Sequence, residues 1–382
     1  MRKKFIVLSL VLVVSLLISL ACIVIINKNT STSPPTTEIL EVCKSVVNNG
    51  PGINVLFFSD ENTAQKYSDY FLSIAPFNNH KEKFNFFYID KDAYEVQCEL
   101  YRGFALYCYS KELIKKAASC PYDYIAVLEE QPRSIRSSAF KGVMSLNLKH
   151  PLSVLAHEFG HVFDNFAEEY PAENARIPRG AENCQKNCEF NKFPGEFDCH
   201  QGCTKESYDR EFEKGFMRDL GATRYGPYDE LLLEEETMEQ YEEKSQNTIT
   251  GSAIAEIEIA CSQQEYILIE GIYEKNNIEI TSKELLPGCA PRGKRDGSLY
   301  YTVLNENQEV LDTNSFYPEQ IFITDFTESG EISSPPEENT QENFIITTPA
   351  TGQEETLEIS DETGEVIEEI NLQDAGARPC KI

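Results

Sequence analysis

The chain of 382 residues contains no tryptophan, five histidines and four methionines, and its 34 basic residues are outnumbered by 63 acidic ones. From Asp296 to Ala377 there is no lysine or arginine at all. A net charge of −29 excludes nucleic acid as the main partner, because phosphate binding needs a basic face. The acidic stretch reads as a solvated surface, since it lacks the spaced Asp loop of a usual calcium site. No internal repeat is present, which excludes a solenoid. After the N-terminal segment no apolar run is long enough to span a bilayer. What remains, 41% hydrophobic and 25% charged, is globular composition. The length suits two or three domains.

The N-terminus indicates the compartment. Arg2, Lys3 and Lys4 precede an apolar or small-residue run from Phe5 to Ile26. Roughly 22 residues at about 1.5 Å each cross a bilayer core. A secretory signal is shorter and ends at a small-residue site, whereas here Ala21-Cys22 is followed by further apolar chain. The spacing therefore predicts an uncleaved, single-pass anchor over residues 1–28. A cleaved signal, or a lipoprotein acylated at Cys22, is the alternative. The basic flank predicts that the rest of the chain faces the extracytoplasmic side of a cell membrane. Twelve cysteines agree with that oxidising side.

Residues 29–52 read as a linker, beginning in a stretch rich in Asn, Ser, Thr and Pro. Short runs rich in β-branched and aromatic residues follow at Asn54–Ser59, Phe84–Ile89, Tyr124–Leu128 and Gly142–Leu148, and predict buried strands. Glu61–Ile74 and Ser110–Ser119 carry helix-spaced apolar residues, and Pro151 is placed to start a helix running to about Phe166. Strands alternating with helices predict a sheet covered by helices over 53–248. The second half, 249–382, reads as an acidic, all-β, sandwich-like domain. Its predicted strands are Ala255–Ala260, Glu265–Glu274, Ser298–Asn305, Ile321–Phe326, Phe344–Thr348, Glu354–Ser360 and Glu365–Leu372.

The chemistry concentrates in His157-Glu158-Phe159-Gly160-His161. Two His at i and i+4 share one helix face and can reach one metal ion. Glu158, one position round, sits beside that ion and is placed to take a proton from a water activated there. Zn2+ suits imidazole and carboxylate ligands with one open position. The flanking Val154, Leu155, Phe159, Val162, Phe163 and Phe166 make the helix apolar nearly all round, as in a buried helix. Buried His need partners, and a metal supplies one for both. A third ligand requires the chain to reverse after the helix. Asn165 is the residue best able to take positive φ, and three residues on lies Glu168, with Glu169 as the alternative.

At these residues the chain resembles the IgA-peptidase family of zinc metallopeptidases, which are metzincin-like. Their active-site helix has the form H-E-F-G-H-S-F-x-x-L-A-[DE]-E-Y, against HEFGHVFDNFAEEY at 157–170. NVLFFSD (54–60), APFNNHKEKFNFFYID (75–90), YDYIAVL (122–128) and GFMRDLGATRYGP (215–227) resemble further segments of that family. The resemblance covers roughly 53–230. It implies a metzincin-like peptidase domain, His157 and His161 as metal ligands, Glu158 as catalytic base, Glu168 as the family's acidic position, and Met217 in a Met-turn beneath the metal. Asp164 and Asn165 stand where relatives often have Gly, and Val162 where they have Ser.

The cysteines Cys184-x3-Cys188 and Cys199-x3-Cys203 predict two disulfides across a helical hairpin, with a four-thiolate structural zinc as the alternative. Two of Cys98, Cys108 and Cys120 are expected to pair, as are Cys261 and Cys289. His80, His150 and His200 carry no ligand pattern. The expectation is thus a membrane-anchored, extracytoplasmic zinc metallopeptidase acting on a protein or peptide substrate, with Tyr225 or Tyr170 available to an oxyanion. The rivals are an adhesion or scaffold protein with a degenerate peptidase domain, and a zinc hydrolase of a non-peptide bond.

Overall fold

The computed structural model describes residues 40–91, 96–171, 177–250, 261–274, 277–291, 297–316, 323–324, 342–373 and 375. The predicted anchor at 1–28, the strand expected at Ala255–Ala260 and cysteines 22 and 380 lie outside these residues. Among the described residues no helix is long and apolar enough to cross a membrane.

In chain order the first half comprises β1 (Lys44–Val47), β2 (Ile53–Phe58), α1 (Glu61–Phe71), β3 (Phe84–Ile89), β4 (Glu99–Tyr101), β5 (Ala105–Tyr107), α2 (Lys111–Ala117), β6 (Tyr124–Glu129), β7 (Ser138–Phe140), β8 (Val143–Asn147), α3 (Ser153–Phe163), β9 (His200–Cys203), β10 (Lys205–Arg210) and α4 (Pro227–Thr250). The second half is β11 (Glu265–Glu274), β12 (Asn277–Pro287), β13 (Leu299–Asn305), β14 (Val310–Phe316), β15 (Ile323–Thr324), β16 (Glu342–Pro349), β17 (Glu354–Asp361) and β18 (Val366–Asn371). The fold is mixed α/β, with several sheets and few helices.

The main sheet has the order β1-β3-β2-β6-β8-β7-β15. Its centre, β3-β2-β6-β8, is parallel, and β1 and β7 run antiparallel at its flanks. The central strands are buried on both faces, which is why they read as unbroken apolar runs rather than alternating ones. Caps explain where the covering helices begin. The Asp60 side chain accepts the Thr63 amide and starts α1; Ser110 does the same for α2 through Leu113.

One sheet face packs on α1, α3 and α4. There Phe71, Phe77, Phe84, Phe86, Phe159 and Phe163 form edge-to-face and stacked contacts. The other face packs on α2 and on Tyr266, Leu268 and Ala290 from the second half. That contact is reinforced by the Cys289 amide donating to Ala118 O (2.8 Å) and by Lys115–Glu284 (3.0 Å). Two further antiparallel sheets, β12-β11-β16 and β14-β13-β17-β18, enclose a core of Ile267, Ile269, Tyr301, Val303, Phe344 and Ile359, as a sandwich does.

Several details differ from the sequence reading. Residues 40–52 are not solvated linker. Lys44–Val47 pairs with β3, and Cys43 is bridged to Cys120 across a separation of 77 residues, a pairing no local pattern signals. The described part of the strand expected at Ile321–Phe326 joins the main sheet rather than the sandwich, pairing antiparallel with β7. The cysteine insert is no helical hairpin. It contains the β9–β10 hairpin, stapled by Cys184–Cys203 and Cys188–Cys199. Asn187, Cys188, Thr204 and Gly202 all have positive φ, which a helix cannot accommodate. Cys98–Cys108 and Cys261–Cys289 are paired as expected.

Candidate metal centre

Helix α3 has two working faces. Phe159 and Phe163 point into the aromatic core, where Phe159 meets Phe71 (4.8 Å between ring centroids) and Tyr124 (5.4 Å). His157 and His161, four residues apart, line the other side with their Nε2 atoms 3.2 Å apart. Each ring is oriented from behind. His157 Nδ1 lies 2.8 Å from Phe216 O and His161 Nδ1 lies 2.7 Å from Phe166 O. A carbonyl only accepts, so each Nδ1 carries the proton and each Nε2 is left facing inward.

The helix ends at Asp164, and Asn165 follows at φ 53°. Gly160 O then accepts the amides of Asp164 (3.3 Å) and Phe166 (3.1 Å) as the chain turns back. This reversal brings Glu168 over the imidazoles. Its Oε2 is 3.3 Å from His157 Nε2 and its Oε1 is 3.4 Å from His161 Nε2. Apart from the two imidazoles, no hydrogen-bond donor reaches either oxygen among the described residues. A Glu158 carboxylate oxygen lies within 4.8 Å of a nitrogen of each imidazole. His157, Glu158, His161 and Glu168 are all buried.

Glu169 turns the opposite way. Its carboxylate lies against Asp229 at the start of α4, near Glu211 and Arg210. Burial, then the Glu211 carboxylate, pushes Glu169 up to about 8, and burial with Glu169 beside it holds Asp229 well above the usual carboxylate range. Its backbone is pinned to the Met217 loop, its amide donating to Met217 O (3.0 Å) and its carbonyl accepting from Arg218 Nη1 (2.7 Å). Gly160 lets Met217 approach the helix: a Cβ there would stand 2.7 Å from Met217 Sδ. That close approach is the reason for a glycine in a buried helix, where the residue is otherwise unfavourable.

The site fits a cation. Two inward imidazole nitrogens and a carboxylate converge, and with both His neutral none of them is a donor. Without a metal, protons must fill that role. Burial alone would lower His157, but Glu168 overrides it and raises the group to about 10. Burial alone would raise Glu168, but His157 and His161 bring it down to about 2. Two imidazole nitrogens and a carboxylate are a donor set that suits a divalent cation such as zinc.

The other flagged residues are elsewhere. His80 pairs with Glu234 (3.1 Å), His150 lies 3.1 Å from Ser137 Oγ, and His200 begins β9. Tyr225 is fully buried and its hydroxyl donates to Ala156 O inside the helix wall, which removes it as an oxyanion donor. Phe166 O, Phe216 O, Asn183 and Thr204 were not legible from motif spacing. Two act only through main-chain carbonyls, and two sit in the insert. No known family profile matches the chain, and no curated protein sequence aligns with it.

Proposed function

We propose that the chain is a metzincin-like zinc metallopeptidase that cleaves protein or peptide bonds on the extracytoplasmic side of a cell membrane, to which residues 1–28 anchor it. The observation that carries this reading is the convergence of His157 Nε2, His161 Nε2 and the Glu168 carboxylate. The reversal at Asn165 and the packing of Met217 beneath Gly160 support it, because both are features of that class. Five disulfides support an oxidising compartment.

In this reading His157, His161 and Glu168 hold Zn2+. When bound, zinc supplies a Lewis acid that acidifies a water and polarises the scissile carbonyl. Phe216 O and Phe166 O fix the tautomer of both imidazoles, so each Nε2 stays available without rotation of the ring. Glu158 stands beside the ligands and takes the water proton at its carboxylate, then delivers it to the leaving amine. Burial of all four side chains keeps bulk water from levelling their electrostatics.

Peptide-library cleavage by the purified chain, with and without a chelator, tests the reading. Glu158→Gln is expected to retain zinc while losing roughly 10²–10⁴-fold or more of the hydrolysis rate. A Gln variant with more than half the wild-type rate would rule the assignment out.

A further inference from the structure

The segment that presents Glu168 has no regular structure: residues 165–168 form neither helix nor strand. A charged ligand on irregular chain needs other groups to hold it, and the cysteine insert supplies them. The Asn183 carboxamide grips Ala167 from both sides, accepting its amide (2.8 Å) and donating to its carbonyl (2.9 Å). The Thr204 hydroxyl donates to Glu168 O (2.7 Å). Asn183 and Thr204 are both buried, and each adjoins one half-cystine of the Cys184–Cys203 bridge. The two sulfurs themselves pack 3.7 Å from Glu168 O. Ala167, Cys184 and Cys203 make a small apolar cluster of their own.

The backbone of Thr204 adds a separate observation. It sits at φ 56°, a region that a β-branched residue rarely occupies. Glycine or asparagine would suit that conformation better, and strain of this kind concentrates at functional positions. The hydroxyl is what threonine offers and glycine does not.

We propose that Asn183 and Thr204, yoked through the Cys184–Cys203 disulfide, are positioning residues that hold Glu168 as the third ligand. The inference rests on the zinc reading of His157, His161 and Glu168. It assigns the cysteine insert a role in metal affinity rather than in fold stability alone. Outer partners of this sort typically contribute roughly ten- to hundredfold in metal affinity.

Three variants of the full chain separate hydroxyl, shape and strain. Zinc dissociation constants are measured by competition with a chromophoric chelator, and thermal midpoints are recorded on the metal-free proteins. Thr204→Ser keeps the hydroxyl and should bind zinc within about twofold of wild type. Thr204→Val keeps the shape and should bind about tenfold more weakly. Thr204→Gly relieves the backbone strain, so it should fold even if the valine variant does not, yet bind zinc about as weakly as valine. Equal affinity in the wild type, valine and glycine proteins would overturn the proposal. So would a serine variant as weak as valine. A wild-type chain that binds no zinc would instead sink the underlying metal reading, and this inference with it.

Discussion

Gly160→Ala tests the packing beneath the two histidines without touching a ligand. The new methyl would stand 2.7 Å from Met217 Sδ, 3.3 Å from Met217 Cε and 3.2 Å from a Phe166 ring carbon. Ordinary contacts lie at about 3.5–4.0 Å, so the sulfur must move by close to an ångström. Overpacking of this size costs typically about 1–3 kcal/mol. Alanine for glycine in a helix returns about 1 kcal/mol. The net expectation is a loss of about 1 kcal/mol in urea unfolding of the metal-free chain, read as a shifted midpoint at unchanged slope. Met217→Ala removes the nearest obstructing atoms and leaves the Phe166 ring carbon at 3.2 Å, which a small ring shift relieves, so Gly160→Ala made in that background should become stabilising. The coupling energy of the cycle should then be on the order of 2 kcal/mol. Because Met217 adjoins Phe216, whose carbonyl orients His157, the single variant should also weaken zinc binding. If Gly160→Ala stabilised the wild-type chain by the full helix-propensity gain, the close approach of the Met217 loop would be refuted.

Other expectations follow from the same geometry. Glu168→Ala should lose zinc on mild dialysis, while Glu169→Ala, whose carboxylate faces Asp229, should keep close to one zinc per chain by elemental analysis; exchanged behaviour would reverse the ligand assignment. Glu211 is raised by burial to about 7 from 4.5, so its folded form holds its proton longer than its unfolded form and it costs stability as pH rises from about 4.5 to 7. Glu211→Gln should therefore gain stability relative to wild type between pH 5 and pH 8, by at most on the order of 3 kcal/mol; a difference in denaturant midpoint that stays constant with pH would contradict this. Protease added to intact cells should digest or detach the chain beyond Asn27. Digestion only after lysis would reverse the orientation.

The central strands and the histidine helix were legible because each has a local signature. β3 matches its predicted bounds, and β2, β6 and β8 lie within a residue or so of theirs, since strands buried on both faces read as continuous apolar runs. The turn at Asn165 was legible for a conformational reason, because few other residues tolerate positive φ. The cysteine insert is ambiguous in sequence because a four-residue spacing fits one helical turn and a disulfide-stapled hairpin equally well. Only the positive φ values at 187, 188, 202 and 204 distinguish them. Helix α4 has a weak sequence signature although Pro227, Asp229 and Glu230 mark its start. Its acidic middle hides the buried Leu232, Leu233, Thr237 and Gln240. The strand signal at Ile321–Phe326 was legible, but its partner was not, as the place of β15 at the edge of β7 depends on tertiary pairing.

The Cys43–Cys120 bridge has a mechanical consequence. Cys43 is the residue immediately before β1, an edge strand joined to β3 by a short, irregular register. A pull on the chain from its N-terminal side would, without the bridge, unzip β1 one pair at a time, the weakest direction in which a sheet can be loaded. With the bridge, tension is shared through the sulfurs with Cys120, beyond the end of α2, so β1 is no longer loaded alone. The Lys116–Glu41 ion pair (2.9 Å) and the Glu41 amide donating to Ser119 Oγ (2.9 Å) fasten the same corner. The fold is thus clamped at its first described residues, and a load applied there is spread to the segment that leads into β6 rather than peeling β1 from the sheet edge.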